Sequence, residues 1–221
     1  MSEYIIRNAK PEDAAFLADT VISAEKSGSE KLSYCTLFNL TAAQAKHNIT
    51  CMFEEEIDGC EFSISSFLVV EFEGKPVAAF GGWIETMNED ETPSKLLKSN
   101  LISYTFGREA LEFLKTKAAV INALVTERNP MALQLEYLYV DAGHRGKNLS
   151  ALLIETLEKR ALAAYPGLKK VQVQVYINNI PAINIYKKAG FEIVSTSKSN
   201  HPEVLEFLPW NEKHVMQKTI N

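Results

Sequence analysis

The sequence predicts a mixed α/β (α+β) fold, and three observations support that prediction. The first half of the chain contains two strand-like segments joined by a glycine-containing turn, which is typical of a β-hairpin. The last third alternates strand-like and helical segments as a β-α-β unit does. The 221 residues are 46% hydrophobic, enough to form a core. We therefore expect a single domain over residues 1–221.

The N-terminal segment predicts one strand followed by two helices. Residues 4–7 (Tyr-Ile-Ile-Arg) are typical of a short strand, and residues 10–13 place proline and acidic side chains in the first turn of a helix. A second helix is predicted over residues 41–56. Thr41 and Gln44 have the spacing of a capping box at its start.

The hairpin is predicted from strand composition and turn chemistry. Residues 66–72 and 76–84 are rich in β-branched and aromatic side chains, and Glu73-Gly74-Lys75 forms the turn between them. Gly81-Gly82 lies inside the second of these strands. Glycine there is typical of a bulge or of a ligand that approaches the backbone.

A helical insertion is predicted between the third and fourth strands, over about residues 87–130. Residues 87–92 are polar and acidic, as in a loop. Residues 94–124 have helical periodicity that is interrupted near Gly107, and we expect two helices.

The C-terminal third gives the clearest pattern. Gly190 follows a helical segment where a C′ glycine terminates a helix. We predict strands at residues 133–140, 169–176, 191–194 and 214–218, and helices at residues 147–164 and 181–189.

Charge and cysteine usage exclude several classes of protein. The formal net charge of −5 gives no general cationic face for nucleic acid or a membrane. The chain has three cysteines, and none of them has CxxC spacing, so no disulfide framework is predicted. The four histidines lack metal-ligand spacing, and no metal site is predicted. The N-terminus lacks the apolar run of a signal peptide. We expect a cytoplasmic protein that binds neither nucleic acid nor membrane.

The loop between the fourth strand and the next helix has the features of an anion site. The first N–H groups of a helix have no partner within it, and the helix dipole favours a negative charge at that end. Arg145 and Lys147 add positive charge, and Gly146 permits a close approach to the backbone. An ordinary strand-turn-helix with solvated basic side chains explains this segment, taken alone, equally well.

Residues 140–153 resemble the main motif of the GCN5-related N-acetyltransferase (GNAT) superfamily. In that motif a strand ending in valine is followed by R/Q-x-x-G-x-G/A at the start of a helix. The resemblance departs at the two later glycine positions, where this chain has Asn148 and Ser150. Asparagine tolerates left-handed backbone, and serine suits a helix N-terminus.

A second motif of the same superfamily lies downstream. Residues 179–191 are similar to N-x-x-A-x-x-x-Y-x-K-x-G-F, again on a helix that follows a strand. Alone, Tyr186 is better interpreted as a buried helix tyrosine, and Gly190-Phe191 as a helix stop with a core aromatic. The two motifs in order make coincidence improbable.

The resemblance implies a GNAT-like, mostly antiparallel central sheet flanked by helices, and acetyl-CoA as co-substrate without a metal. It implies that backbone amides of the loop hold the pyrophosphate, that diverging strands expose backbone to the pantetheine arm, and that Asn179 contacts that arm. The implied cofactor-binding residues are Leu138, Tyr139, Val140, Arg145, Gly146, Lys147, Asn148, Leu149, Ser150, Asn179 and Tyr186.

The resemblance also implies direct acetyl transfer to the primary amine of a small molecule or peptide. Tyr186 matches the family's general acid. The family's usual base is a glutamate on the fourth strand, which here is Glu136. Because strand side chains alternate, we expect Gln134, Glu136, Leu138 and Val140 to share one face.

Several alternatives remain open from the sequence. Glu136 fits a solvated strand glutamate equally well, and Glu71 and Glu85 compete with it as the base. A donor with a longer acyl chain would use the same loop. A different class is a catalytically degenerate acyl-CoA-binding sensor or interaction module. The acceptor is not readable, and the family's frequent dimers leave a homodimer open.

Overall fold

A computed structural model describes residues 3–55 and 57–220 of the chain. Its strands are β1 (Tyr4–Asn8), β2 (Phe67–Phe72), β3 (Lys75–Ile84), β4 (Leu133–Val140), β5 (Lys170–Tyr176), β6 (Glu192–Lys198) and β7 (Glu212–Thr219). Its α-helices are α1 (Ala14–Lys26), α2 (Ser33–Phe38), α3 (Ala42–Glu54), α4 (Ser94–Thr105), α5 (Arg108–Thr116), α6 (Ala118–Asn122), α7 (Leu149–Ala164), α8 (Ile180–Lys188) and α9 (Val204–Phe207).

The strands form one open, twisted sheet in the order β1-β2-β3-β4-β5-β7-β6. Neighbouring strands are antiparallel except β4 and β5, which are parallel and are connected through α7. A parallel pair needs a crossover of this kind, whereas the β2–β3 pair needs only a tight turn. The predicted mixed, mostly antiparallel sheet flanked by helices is confirmed.

Each face of the sheet is covered by its own apolar cluster. One cluster joins the inner side chains of α7 and α8, such as Leu153, Leu157 and Ile183, to the sheet. The other joins α1 to α5 to the opposite face, with Leu17 and Phe53 buried there. Alternate residues of one strand therefore enter different cores, as side-chain alternation requires.

The N-terminal helices begin where the sequence predicts. Pro11 opens a short 3-10 turn that leads directly into α1. The capping box at α3 is formed: the Gln44 N–H donates to Thr41 Oγ1 over 3.3 Å, and the Thr41 N–H donates to Gln44 Oε1 over 3.0 Å. The predicted last residue of this helix, Glu56, lies outside the described residues.

The insertion between β3 and β4 contains three helices, and the prediction of two was wrong. The break near Gly107 is present between α4 and α5, but a second break follows at Lys117, between α5 and α6. No glycine or proline indicates that second break. The short helices α2 and α9 were not predicted, since six and four residues are too few to show a helical period.

Gly81 and Gly82 are needed for close packing. A Cβ on Gly81 would lie 2.9 Å from the Phe67 ring, and one on Gly82 would lie 3.0 Å from Leu135 and 3.1 Å from Leu157. The bulge expected here lies instead in the facing strand β4, where the register with β3 shifts.

That bulge overturns the predicted common face of β4. Tyr137 has a left-handed backbone, with φ of +61°, and one more residue stands in β4 than in β3 between the flanking pairs. Alternation is broken as a result: Leu138 and Val140 pack into the same cluster as Leu133 and Leu135, on the α7 face. Gln134 and Glu136 therefore do not share a face with Leu138 and Val140.

Within the described part of the chain, no helix combines the length and apolarity required to cross a bilayer.

Candidate active site

A cleft opens in the sheet where β4 and β5 diverge. The two strands pair only over residues 133–135 and 171–173, at their N-terminal ends. Beyond that point a cavity of about 1310 Å³ lies between them, bounded also by the β4–α7 loop, α7, α8 and the C-terminal end of α1. From Glu136 onward, the backbone of β4 on this side has no β5 partner and faces the cavity.

The β4–α7 loop places a helix N-terminus at the mouth of this cavity. Gly146 and Asn148 both have left-handed backbone, with φ of +75° and +60°, and α7 begins at Leu149. The side chain of Arg145 turns back to donate from Nε to the Val140 carbonyl over 3.1 Å. Leu149 and Ser150, in the first turn of α7, line the cavity. This arrangement offers unpaired backbone N–H groups and the positive end of a helix dipole to an anion.

Most of the sequence-predicted cofactor residues meet in this one cavity. Those that line it are Leu138, Tyr139, Val140, Arg145, Gly146, Asn148, Leu149, Ser150, Asn179 and Tyr186. Lys147 is exposed and lies outside the lining. A contact of Lys147 with a cofactor stays a prediction.

His144 anchors the loop to the edge of the sheet. Its Nδ1 lies 3.0 Å from the Tyr4 hydroxyl, and its ring centroid lies 5.0 Å from that of Phe72. The His144 side chain is therefore half-buried and held in place, and it lines the mouth of the cavity.

Asn179 has a structural role as well as a place in the cavity wall. It is the N-cap of α8, where its Oδ1 accepts from the Ala182 N–H over 3.3 Å. Its Nδ2 donates to Ser27 Oγ over 3.1 Å and so ties α8 to the end of α1. The asparagine side chain thus fixes two walls of the cleft relative to each other.

Tyr186 projects from α8 into the cavity and is held between aromatic rings. The rings of Phe80 and Phe191 lie 6.5 Å and 5.8 Å from it, centroid to centroid. Its hydroxyl donates no hydrogen bond to any residue in the described ranges 3–55 and 57–220. Burial raises the pKa of Tyr186, and the nearby Glu136 carboxylate raises it further. The phenol therefore keeps its proton at neutral pH, and that proton is available to a ligand.

Glu136 reaches the same cavity from β4 and belongs to a buried cluster of charges. Its carboxylate pairs with Arg128 Nη2. Arg128 also holds Glu61, with Nη1–Oε2 and Nη2–Oε1 distances of 3.2 and 3.0 Å, and Lys98 Nζ lies 3.2 Å from Glu61 Oε1. Two carboxylates thus face two cations. The Glu136 side chain is 16% exposed and Glu61 is fully buried, so only Glu136 is open to the cavity.

The two carboxylates of this cluster have pKa values that shift in opposite directions. Burial raises the pKa of Glu136; Arg128 opposes that shift, and the Glu61 carboxylate reinforces it. Burial would also raise the pKa of Glu61, but Arg128 and Lys98 outweigh it and lower the pKa to about 2. Glu61 therefore carries the permanent negative charge, and Glu136 is the group able to exchange a proton.

The other glutamates proposed as the base lie elsewhere. Glu71 pairs with Arg7, with Nε–Oε2 of 2.8 Å, and Glu85 accepts from Ser94 and from Trp83 Nε1. Neither lines the cavity. Of the three glutamates, Glu136 alone is in a position to contact a substrate there.

Arg128, Glu61 and Lys98 were missed by the sequence reasoning. They stand in three separate segments and meet only in the folded chain. The only local signal was that Glu61 stands between two apolar residues, Cys60 and Phe62, and a charged residue that is buried needs a partner. The segment alone does not name the partner.

The three cysteines are free thiols, and Cys60 is buried. Burial raises the pKa of Cys60 to about 11, which leaves it uncharged and a poor nucleophile at neutral pH. Among the described residues, no three histidine, cysteine or acidic side chains are grouped as metal ligands.

Comparison with known proteins identifies the family. The Acetyltransferase (GNAT) family profile matches residues 36–191, which include both motifs, Glu136 and Tyr186. The chain belongs to this family, whose members transfer an acetyl group from acetyl-CoA. The curated streptothricin acetyltransferase of Escherichia coli is 37% identical over 59 residues, 27% of this chain. The chain spans only 33% of that relative's length.

Solved structures share the fold at low identity. An N-acetyltransferase from Staphylococcus aureus Mu50 superposes with a TM-score of 0.65 at 19% identity, covering 96% of this chain and 99% of that one. YncA from Salmonella typhimurium, solved with its cofactor acetyl-CoA, gives a TM-score of 0.54 at 13% identity, covering 100% of this chain and 95% of that one.

Proposed function

We propose that this protein is an N-acetyltransferase that moves the acetyl group of acetyl-CoA to a primary amine of a small molecule or peptide. Transfer is by direct attack within a ternary complex. One observation carries the proposal: Glu136 and Tyr186 line the same cavity, and that cavity begins at the anion loop. A base and an acid therefore stand on opposite walls of a site whose mouth suits a pyrophosphate.

The residues of the cleft fit acetyl-CoA. The loop supplies backbone N–H groups and a helix dipole for the pyrophosphate. The diverged backbone of β4 supplies hydrogen-bonding groups for the amides of the pantetheine arm, since peptide groups that face a cavity need partners. Apolar side chains at Leu138, Val140 and Ile154 line the path between them.

Bound acetyl-CoA supplies an activated acyl group as a thioester. An alkyl amine is mostly protonated at neutral pH, because its pKa is near the lysine value of about 10.4. Glu136, ionised and open to the cavity, accepts a proton from the incoming ammonium, directly or through water. Its raised pKa strengthens it as a base, while Arg128 holds its carboxylate in position.

Tyr186 provides the proton for the departing thiolate. The phenol is protonated and has no competing acceptor within the described residues. In this mechanism a backbone N–H near Leu138, beyond the bulge, polarises the thioester carbonyl as an oxyanion donor. No covalent enzyme intermediate is needed.

Broader properties of the protein belong to this proposal too. We propose that residues 1–221 act as one cytoplasmic acetyltransferase domain, and the net charge of −5 supports an acceptor that is neither nucleic acid nor a membrane surface. A homodimer stays open.

Thiol release from acetyl-CoA, measured with a panel of primary amines, tests the proposal. We expect amine-dependent release of CoA together with a mass gain of one acetyl group on the amine. Tight acetyl-CoA binding without release of CoA in the presence of any amine would overturn the proposed enzyme activity. That result would favour the acyl-CoA-binding sensor, an alternative supported by the replacement of two motif glycines with Asn148 and Ser150.

A further inference from the structure

The cavity is lined by elements from both faces of the sheet, and its two ends differ. The loop, α7 and α8 form one end, where Leu138 and Val140 pack on the α7 face. The other end reaches the opposite face, where it is bounded by the C-terminal end of α1 and by Tyr176 and Lys213. If the donor enters from the loop, the acceptor must enter from the α1 side. This step rests on the proposed function.

The charged cluster around Arg128 is balanced internally. Glu61 and Glu136 contribute two negative charges, and Arg128 and Lys98 contribute two positive ones. The cluster as a whole therefore carries no net charge. The other charged side chains at this end of the cavity are Glu25 and Lys213.

Lys213 is a half-buried cation without an anionic partner. It stands at the start of β7, opposite Tyr176 of β5, and its Nζ lies 4.4 Å from the centre of the Tyr176 ring. No carboxylate of the described residues lies within 4.0 Å of that Nζ, and no hydrogen bond from it is present there. A ring face compensates a desolvated ammonium only in part. Burial lowers the pKa of Lys213, and the carboxylates of Glu25 and Glu136 oppose that shift without reaching ion-pair distance.

Glu25 faces the same end of the cavity, and its carboxylate forms no ion pair within 4.0 Å of Lys213. Its Oε2 accepts from Ser33 Oγ over 2.8 Å, which fixes the carboxylate at the end of α1. Glu25 and Lys213 are thus opposite charges that line one cavity and remain more than 4.0 Å apart within the described structure. Separated opposite charges on a pocket wall match a ligand that itself carries both signs.

We propose that the acceptor is a zwitterionic amine and that Lys213 binds its anionic group. The anion is a carboxylate or a phosphate-type group, since either accepts charge-assisted hydrogen bonds from an ammonium. Glu25 attracts the ammonium of the same molecule as it enters. Lys213 therefore determines specificity, while Glu136 and Tyr186 move protons.

Sets of acceptors that share an amine but differ in the anionic group measure the contribution of that group to kcat/KM. Tyrosine and tyramine, or lysine and cadaverine, differ by one carboxylate. A third set consists of propylamine, which has no anionic group, β-alanine, which has a carboxylate, and 2-aminoethylphosphonate, which has a phosphonate. In the wild-type protein we expect kcat/KM to be higher for an anionic member of at least one set. Lys213→Met should reduce that preference by roughly 10- to 100-fold, the range for a hydrogen bond to a charged group.

Control variants show whether the effect belongs to this ammonium. Lys213→Arg keeps the positive charge and should retain part of the preference. Lys187→Met removes an exposed lysine of α8 that lies outside the cavity lining, and it should leave the preference as in the wild type. An unchanged preference in Lys213→Met would overturn the proposal, as would an equal rise in the Kd of acetyl-CoA, because Lys213 would then serve the donor.

Binding measurements distinguish failure of this inference from failure of the proposed function. If no amine yields CoA, the transferase is wrong, and calorimetric titration of the same amines into the CoA-bound protein decides the inference. Weaker binding of the anionic amines to Lys213→Met than to wild type supports it. Absence of binding that depends on Lys213 overturns it.

Discussion

Tyr186 illustrates how burial can prepare a single side chain for chemistry. Three apolar rings in one row, Phe80, Tyr186 and Phe191, remove water from the phenol and raise its pKa. A general acid has to hold its proton until the leaving group develops charge, and a raised pKa ensures that it does. The cost of burying the hydroxyl is tolerated because the cavity leaves it accessible to a ligand.

Tyr186→Phe removes only the hydroxyl and should lower kcat by about 100-fold or more, the usual contribution of a general acid. The Kd of acetyl-CoA should change little, because the ring is retained. Steady-state kinetics and calorimetry measure the two effects. Tyr165→Phe, at a tyrosine outside the cavity lining, is the matched control. An unchanged kcat in Tyr186→Phe would remove the phenol from its role.

Glu136 should set the acidic limb of the pH profile. A base works when ionised, so kcat/KM should fall as the pH drops through the raised pKa of this carboxyl. Glu136→Gln should lower kcat by about 100-fold or more and abolish that limb. Glu71→Gln, which alters a glutamate paired with Arg7 away from the cavity, should preserve the limb. If the acidic limb persisted in Glu136→Gln, a group other than Glu136 would be responsible for it.

At the scale of an element, the β4–α7 loop combines two left-handed residues with a helix N-terminus. Gly146 adopts this conformation without strain, and Asn148 is one of the few other residues that tolerate it. The first turn of α7 consequently meets the cavity with its N–H groups free. The two replaced glycines of the family motif therefore leave the local geometry in place.

Asn148→Val should weaken acetyl-CoA binding, because a β-branched residue in left-handed backbone costs roughly 1–2 kcal/mol, or about 10-fold in Kd. Asn148→Gly should bind as the wild type does. Calorimetric titration of acetyl-CoA measures both. Asn39→Val is a matched control, since Asn39 has the same backbone conformation, with φ of +53°, and does not line the cavity. Equal Kd values in Asn148→Val and wild type would contradict the pyrophosphate site.

At the scale of the whole molecule, the ion cluster joins segments that the sheet alone does not connect. Glu61 precedes β2, Lys98 lies on α4, Arg128 follows α6, and Glu136 belongs to β4. Arg128 also stacks on Trp83, with its Cζ 4.9 Å from the ring centre. The helical insertion is thus fastened to the sheet beside the proposed base, Glu136.

Glu61→Gln should destabilise the fold by about 3 kcal/mol at pH 7, because it leaves buried cations short of a partner. The pKa of Glu61 is about 2 in the folded protein, below the ordinary value of 4.5. The stabilisation is therefore complete above pH 4.5 and is lost as the pH falls towards 2. Urea unfolding at several pH values measures it. Glu112→Gln, an exposed partner of Lys115, should show no such difference. A pH-independent gap would contradict the ion pair.

Local sequence determined the parts of the site that are contiguous in the chain. The β4–α7 loop and the α8 helix with Tyr186 and Gly190 each lie within about a dozen residues, so spacing, glycine and helix signals suffice to place them. The order of strands and helices followed from periodicity for the same reason. Short helices and the second break in the insertion carry no such signal, and they were missed.

Only the tertiary structure decided which side chains meet. The bulge at Tyr137 added one residue to β4 and moved Leu138 and Val140 to the α7 face, which strict alternation could not foresee. Arg128, Glu61 and Lys98 come together through packing across the sheet, and Lys213 reaches the cavity because β7 pairs with β5. Sequence fixes local conformation through short-range sterics and hydrogen bonds, whereas partners distant in the chain are chosen by the burial of the whole fold. The proposed donor site depends on contiguous residues, and the proposed acceptor site depends on residues that are distant in the chain.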